Sequence, residues 1–281
     1  MDNSVPIWVW HYFSLDHARA ASSFSRKCGE LEALAPSSGE EDTAPIGTRS
    51  DHRSYATSSV LASGAFIEAC INEFILTAAR DDLAHVEGAE ARTGLELKER
   101  QQITAAGGNL SKESKTLERY QKVLHLLGRE QFDRGARPFS EAALLMRLRN
   151  ELVHYKPQWR PEHSDERRST DQHNLVVGLM ERKFTPNPFY ADSMNPYFPE
   201  KCLGHGCTSW AWNSALKFAD CFFSRAGTTG CTRTPETLCS PECPILSLSR
   251  TRLPRKPGRL RKPTPSNCKR PATPAGQGLA I

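Results

Sequence analysis

The sequence lacks the features that mark membrane and secreted proteins. No uninterrupted apolar run approaches the roughly 18 residues that a membrane-spanning helix needs. The first apolar stretch follows an acidic residue, Asp2, and no basic one, whereas a secretory signal begins with positive charge. We therefore expect a cytoplasmic protein with no membrane partner, in which the nine cysteines are reduced thiols.

The signatures of several large enzyme classes are also missing. There is no phosphate-loop lysine, no glycine-rich dinucleotide fingerprint, no nucleophile elbow and no paired-histidine zinc motif. Cys202, His205 and Cys207 invite a zinc interpretation, but their spacing is not a usual structural pattern and no fourth ligand is evident nearby. A glycine-rich turn explains these three residues as well. We expect no metal and no other cofactor.

No segment alternates polar and apolar residues as a strand does, whereas several show the spacing of amphipathic helices. The strongest helical pattern covers about 52–83, where Ile67, Ile71 and Ile75 belong to one apolar stripe. The patterns predict an all-α protein, an antiparallel up-and-down helical bundle on which an N-terminal helix within residues 1–35 packs. The cysteines expected in its core, because they fall within apolar helical patterns, are Cys28, Cys70 and Cys221.

Composition sets the boundaries of the bundle. We assign it to residues 50–226, with a polar insertion at 86–115 that we interpret as a mobile connection broken at Gly107 and Gly108. The final 54 residues hold nine of the 19 prolines, four of the nine cysteines and no aromatic residue. Such a segment buries too little apolar surface to offset the entropy of ordering it, so we expect residues 227–281 to be a disordered basic tail.

The net charge of +5 resides in that tail. Residues 250–281 contain nine Lys or Arg and no acid, which leaves +5 − 9 = −4 for residues 1–249. A sequence pI near 8.7 therefore gives no support for nucleic-acid binding by the fold itself. The tail could bind phosphates, but it has no aromatic side chain on which a base could stack.

One short segment, residues 149–154, combines a phosphate-binding cation with a group that titrates near neutral pH. The planar guanidinium of Arg149 matches phosphate, and His154 has the unperturbed pKa of an acid or base catalyst. At about 100° per residue, Asn150 and His154 share a helix face, and Arg149 must reach around from about 140° away. The alternative is that these side chains are solvated or only stabilise the bundle. The buried stripe expected on this helix is Leu145, Leu148, Leu152 and Tyr155.

Arg149, Asn150 and His154, near the end of a helix in an all-helical chain, resemble the HEPN (higher eukaryotes and prokaryotes nucleotide-binding) superfamily. Its signature is an Arg, usually followed by Asn, Asp or His, and then a His a few residues later. The earlier helix, in which Glu68 and Asn72 follow a small-residue stretch, looks like the partner helix of bacterial members. The resemblance covers roughly residues 50–225. The 86–115 insertion and the tail depart from a compact family domain.

The resemblance implies a homodimer whose two motifs face each other, with metal-independent endoribonuclease activity carried by Arg149, Asn150 and His154. It is compatible with a toxin or defence component that has a cognate antitoxin. Many family members lack activity, so the alternative is a non-catalytic nucleotide-binding or scaffold protein. Glu68 and Asn72 would support Arg149 or His154 from the neighbouring helix. Glu68 could instead be a solvated charge beside the buried stripe.

Overall fold

A computed structural model describes residues 12–35, 45–79, 94–113, 115–156, 170–190 and 196–228. All of them belong to one compact unit, Val9–Thr251. A second unit, Met1–Trp8 with Arg252–Ile281, lies outside the described residues. The predicted disordered tail lies outside them as well from residue 229 onward.

The described part of the chain contains seven α-helices, one π-helical turn and no strand, so the fold is all-α as the sequence predicts. The helices are α1 (Ser14–Glu32), α2 (Ile46–Ala78), α3 (Leu97–Lys112), α4 (Thr116–Leu126), α5 (Phe139–Val153), α6 (Thr170–Met180) and α7 (His205–Ala226). The π-helical turn, Tyr197–Lys201, comes just before α7.

Helix α2 is the central element, and α1, α3, α4, α5 and α7 all pack against it. α1 is antiparallel to α2: the Tyr12 and Thr77 hydroxyls are 3.1 Å apart near one end, and Ser59 Oγ donates to the Ala21 carbonyl further along. α7 follows α2 in the same direction, because aromatic pairs join the two helices in matching order. These pairs are Phe66 with Trp212 and Phe74 with Phe222.

Helix α2 also holds an 18-residue window with a mean hydropathy of 1.5. By length and composition it is the one helix of the described residues that could cross a membrane, and 56% of that window is buried inside the protein. Buried core helices pass the same test, so this is weak evidence for a membrane. No uninterrupted apolar run marks this window in the sequence, because hydroxyl and small residues separate the apolar residues of α2.

The prediction of a mobile connection is wrong for residues 97–112, which form helix α3 straight through Gly107 and Gly108. Glu96 and Glu99 form a capping box at its start. A Cβ added at either glycine would meet no atom within 4 Å, so both glycines face open space. The core side chains that anchor this segment, too widely spaced to stand out among polar residues, are Leu95, Ile103 and Leu110.

Gly227 ends α7 with φ of +79°, a left-handed conformation that favours glycine at the C-terminal end of a helix. The cysteine predictions have different outcomes. Cys28 and Cys70 lie in the core as predicted. The prediction for Cys221 is wrong, because this residue is exposed on α7.

Candidate functional site

The site is built where α5 crosses α2. Gly64 of α2 faces Arg149 of α5, and a Cβ added at Gly64 would lie 3.0 Å from Arg149 Cγ and 3.3 Å from its Cβ. The missing side chain therefore lets the two helices approach closely. Leu145 and Leu148, both fully buried, fix the same face of α5 against the core. The backbone of α5 is thus held rigidly beside α2 at the candidate motif.

Arg149 is held by an acid on the neighbouring helix. Its guanidinium donates to Glu68 Oε2 on α2 and to Asn150 Oδ1 at 3.0 Å on its own helix. Both ends of the Arg149–Glu68 pair reach the surface, with side-chain exposures of 23% and 37%. The structure therefore brings together Arg149, Asn150 and Glu68, three of the five residues predicted for the site.

A second cation, Arg119 of α4, completes the cluster and was missed in the sequence. Arg119 donates to Asn72 Oδ1 and lies 3.5 Å from Glu68 Oε1. Asn72 is thus bound to Arg119, which corrects the expectation that it would contact Arg149 or His154. The next residue in the sequence, Tyr120, accounts for the position of Arg119. The Tyr120 hydroxyl donates to the Ile67 carbonyl at 2.6 Å and fixes α4 on α2.

The charges of the cluster do not cancel. Glu68 offers one carboxylate to two guanidiniums, Arg119 and Arg149, which leaves one excess positive charge. Arg119 Nε is also buried without a hydrogen-bond partner among the described residues. A partly exposed pair of arginines with a surplus cation attracts anions, and the forked guanidinium fits a phosphate.

His154 lies just past the end of α5. The helix ends at Val153, and His154 is the C-cap with φ −106° and ψ 26°; its backbone N–H donates to the Asn150 carbonyl at 2.9 Å. This bond keeps His154 one helical turn beyond Asn150, as the predicted shared face requires, although the backbone of His154 itself leaves the helix. The His154 side chain is exposed and has no hydrogen-bond partner within the described ranges. It is free to meet a ligand or a second protein copy.

The end of α5 also explains why one core prediction is wrong. Leu145 and Leu148 are buried and Leu152 packs against the core, as the stripe predicts. Tyr155 follows the helix end and is 41% exposed. The three- to four-residue spacing of a buried stripe does not apply beyond Val153, the last helical residue.

Cys202, His205 and Cys207 do not converge on one point. The two sulfurs are 3.9 Å apart in the core, but His205 Nδ1 lies 2.9 Å from the Ser25 carbonyl oxygen on α1. The group of described residues that could hold a metal ion is a different one, formed by Cys28, Glu32 and His52. Sequence reasoning missed it. The available signal was that Cys28 and Glu32 stand one helical turn apart.

Comparison of the chain with models of protein families, with curated proteins and with solved structures finds no match. The resemblance to the HEPN superfamily therefore stays an expectation drawn from the sequence motif alone.

Proposed function

We propose that this protein is a HEPN-like, metal-independent endoribonuclease that acts as a homodimer, with Arg149 and His154 as its catalytic groups. The observation that carries the proposal is that an exposed His154 follows, at the end of α5, an Arg149 that Glu68 holds in place. The surplus positive charge at Arg119 and Arg149 supports an anionic ligand. A polynucleotide backbone has the required charge and shape.

The chemistry needs two proton-transferring groups and one cation. A base takes the proton of the ribose 2′-hydroxyl as that oxygen attacks the phosphorus, and an acid gives a proton to the departing 5′-oxygen. An imidazole suits either task near neutral pH. The Arg149 guanidinium stabilises the charge that develops on the phosphorane oxygens. The products are a 2′,3′-cyclic phosphate and a 5′-hydroxyl.

One chain supplies one His154, so a second copy supplies the other proton-transferring group. Val153 and Tyr155, on either side of His154, are 53% and 41% exposed apolar side chains. Burying them against a second copy would bring two His154 side chains together. A toxin or defence role, and a cognate antitoxin, would follow from such an activity and belong to the same proposal.

A second candidate function is a non-catalytic nucleotide-binding or scaffold protein. It is favoured by the pairing of Arg149, which already bonds with both Glu68 and Asn150. In that function the arginine cluster holds a phosphate and His154 performs no chemistry.

The two candidates are separated by incubating the wild-type protein with an RNA and with a DNA of the same sequence in EDTA. The endoribonuclease cleaves the RNA to 2′,3′-cyclic phosphate ends and spares the DNA, which lacks the attacking hydroxyl. Its specific activity rises with protein concentration until the dimer is fully formed, as followed by sedimentation. Binding of RNA without cleavage at every concentration would overturn the enzyme proposal and favour the second candidate.

A further inference from the structure

A second cluster of chemically reactive side chains lies at the end of the bundle where α1 ends. Cys28 and Glu32 are one turn apart on α1, and the antiparallel α2 brings His52 against them. His52 Nε2 is 3.1 Å from Cys28 Sγ and 2.8 Å from Glu32 Oε1, and the sulfur and that oxygen are 3.6 Å apart. Three potential ligand atoms therefore surround one point.

Hydrogen bonding accounts for only part of this arrangement. The Cys28 thiol donates to Glu32 Oε1, and the single proton on His52 Nε2 can donate to the same oxygen, which leaves the 3.1 Å contact between Nε2 and Sγ without a proton. A tetrahedral Zn²⁺ with bonds of about 2.0–2.3 Å places its N, O and S ligands roughly 3.3–3.6 Å from one another. The three separations lie at or somewhat below these values, so a bound ion requires only small side-chain shifts.

Charge and burial also fit a divalent ion. Cys28 and His52 are almost completely buried, and the Glu32 side chain is 14% exposed. A thiolate and a carboxylate together carry two negative charges, which neutralise a divalent cation and avoid an unpaired buried charge. Binding of the ion requires the Cys28 thiol to lose its proton. A metal ion displaces that proton to solvent.

The surroundings of the cluster orient these ligands. The backbone N–H of His205, the first residue of α7, donates to Glu32 Oε1 at 2.6 Å. The ring of Phe189 meets the His52 ring edge to face, with centroids 4.9 Å apart. A Cβ added at Gly204 would lie 2.8 Å from Glu32 Oε1, so the carboxylate lies tightly against the turn before α7. Such outer contacts fix the position of metal ligands.

We infer that Cys28, Glu32 and His52 bind one Zn²⁺ ion, with water as the fourth ligand. The thiolate, imidazole and carboxylate set suits zinc better than the oxygen-binding Ca²⁺ or Mg²⁺. The ion ties α1 to α2 beside the start of α7 and stabilises the fold. The site is separate from the Arg149 cluster, and this inference stands or falls independently of the proposed ribonuclease activity.

The test uses the full chain, purified with a reductant, stripped of metal and then given one equivalent of Zn²⁺ or Co²⁺. We expect one ion per chain after gel filtration, measured by elemental mass spectrometry, and a higher melting temperature with Zn²⁺. The Co²⁺ protein should show a thiolate charge-transfer band and the intense visible bands of a tetrahedral site. Retention of no ion by the wild-type protein would overturn the inference and leave a hydrogen-bonded cluster.

Variants locate the ion. Cys28→Ser and His52→Asn should lose the Co²⁺ bands and at least tenfold in Zn²⁺ affinity. Cys207→Ser and Cys70→Ser, which remove buried thiols outside the cluster, should retain both. Wild-type affinity in both Cys28→Ser and His52→Asn would overturn the assignment.

X-ray absorption on the wild-type Zn²⁺ protein removes any dependence on how the variants fold. It should find one sulfur at about 2.3 Å and three nitrogen or oxygen ligands at about 2.0 Å. Two or more sulfurs would place the ion on other cysteines and contradict the inference.

Discussion

The carboxylate of Glu68 on α2 holds the guanidinium of Arg149 on α5 at the surface of the bundle. The same carboxylate also lies 3.5 Å from Arg119 Nη2 of α4, so one acid positions two cations. This sharing fixes both arginines and leaves one of their two positive charges unbalanced.

Glu68→Gln should raise the affinity for a non-cleavable DNA analogue of the RNA while lowering the rate of RNA cleavage. The substitution removes a repulsive charge, worth about 1 kcal/mol or about fivefold in affinity for charges 4 Å apart in water. It also loosens Arg149, so this guanidinium stabilises the transition state less well. Fluorescence anisotropy measures the first effect and single-turnover cleavage the second.

The control for Glu68→Gln is Glu181→Gln, which removes an exposed carboxylate from the end of α6. Equal affinities of the two variants would contradict an anion site at the arginine cluster. Each substitution should cost about 1 kcal/mol of unfolding free energy or less, because surface ion pairs contribute little.

Gly64→Val should destabilise the protein by about 1–3 kcal/mol, because the new side chain overlaps the stem of Arg149 where α5 packs on α2. Gly108→Ala, on α3 where nothing lies within 4 Å of the added Cβ, should instead stabilise it by about 0.5–1 kcal/mol. Urea unfolding followed by circular dichroism measures both. A stable Gly64→Val variant would mean that the helices do not cross here.

Glu141 on α5 gives the prediction for pH dependence. Burial raises the pKa of its carboxyl, but hydrogen bonds from Trp210 and Arg182 outweigh burial, so the pKa lies below its ordinary value. A lowered folded-state pKa contributes stability above the unfolded-state pKa of about 4.3, and this stability disappears as the pH falls through the folded value.

Glu141→Gln should therefore unfold at lower urea concentration than wild type at pH 7. The difference between the two proteins should shrink as the pH falls from 5 toward 2. Urea midpoints across this range provide the measurement. A difference that stays constant down to pH 2 would show that the charge of Glu141 has no part in stability.

Cysteine alkylation tests the packing of the bundle. Burial raises the pKa of the Cys70 thiol, while Cys221 is exposed on α7. Because the thiolate is the reactive form, native protein treated with iodoacetamide at neutral pH should be modified at Cys221 well before Cys70. Peptide mass spectrometry over time gives the order. Equal rates would contradict the buried position of Cys70.

Much of the helical architecture can be predicted from spacing, because a helix that packs on a core repeats its apolar residues every three or four positions. α2 and the buried part of α5 follow this rule. α3 does not show it clearly, since Leu95, Ile103 and Leu110 are widely separated and two glycines intervene. Its burial depends on the neighbouring α2, which local composition does not report.

The contacts at the two sites also divide into those that the sequence can predict and those that it cannot. Glu68 could be proposed as a partner of Arg149 from its place on a strongly apolar helix. The contact of Arg119 with Asn72 depends on how α4 lies on α2, and the convergence of Cys28 with His52 depends on the register of α1 against α2. Register and crossing geometry are tertiary properties, so neither contact follows from the spacing of residues along the chain.

The most direct test of the ribonuclease account is cleavage of RNA in EDTA by wild-type protein, His154→Ala and His125→Ala. His125 is an exposed histidine on α4, outside the proposed site, and serves as the matched control. With equal helicity in all three proteins, His154→Ala should lose at least about 100-fold in rate, the usual contribution of an acid or base catalyst. His125→Ala should cleave as wild type does, whereas cleavage by His154→Ala at the wild-type rate would contradict the account.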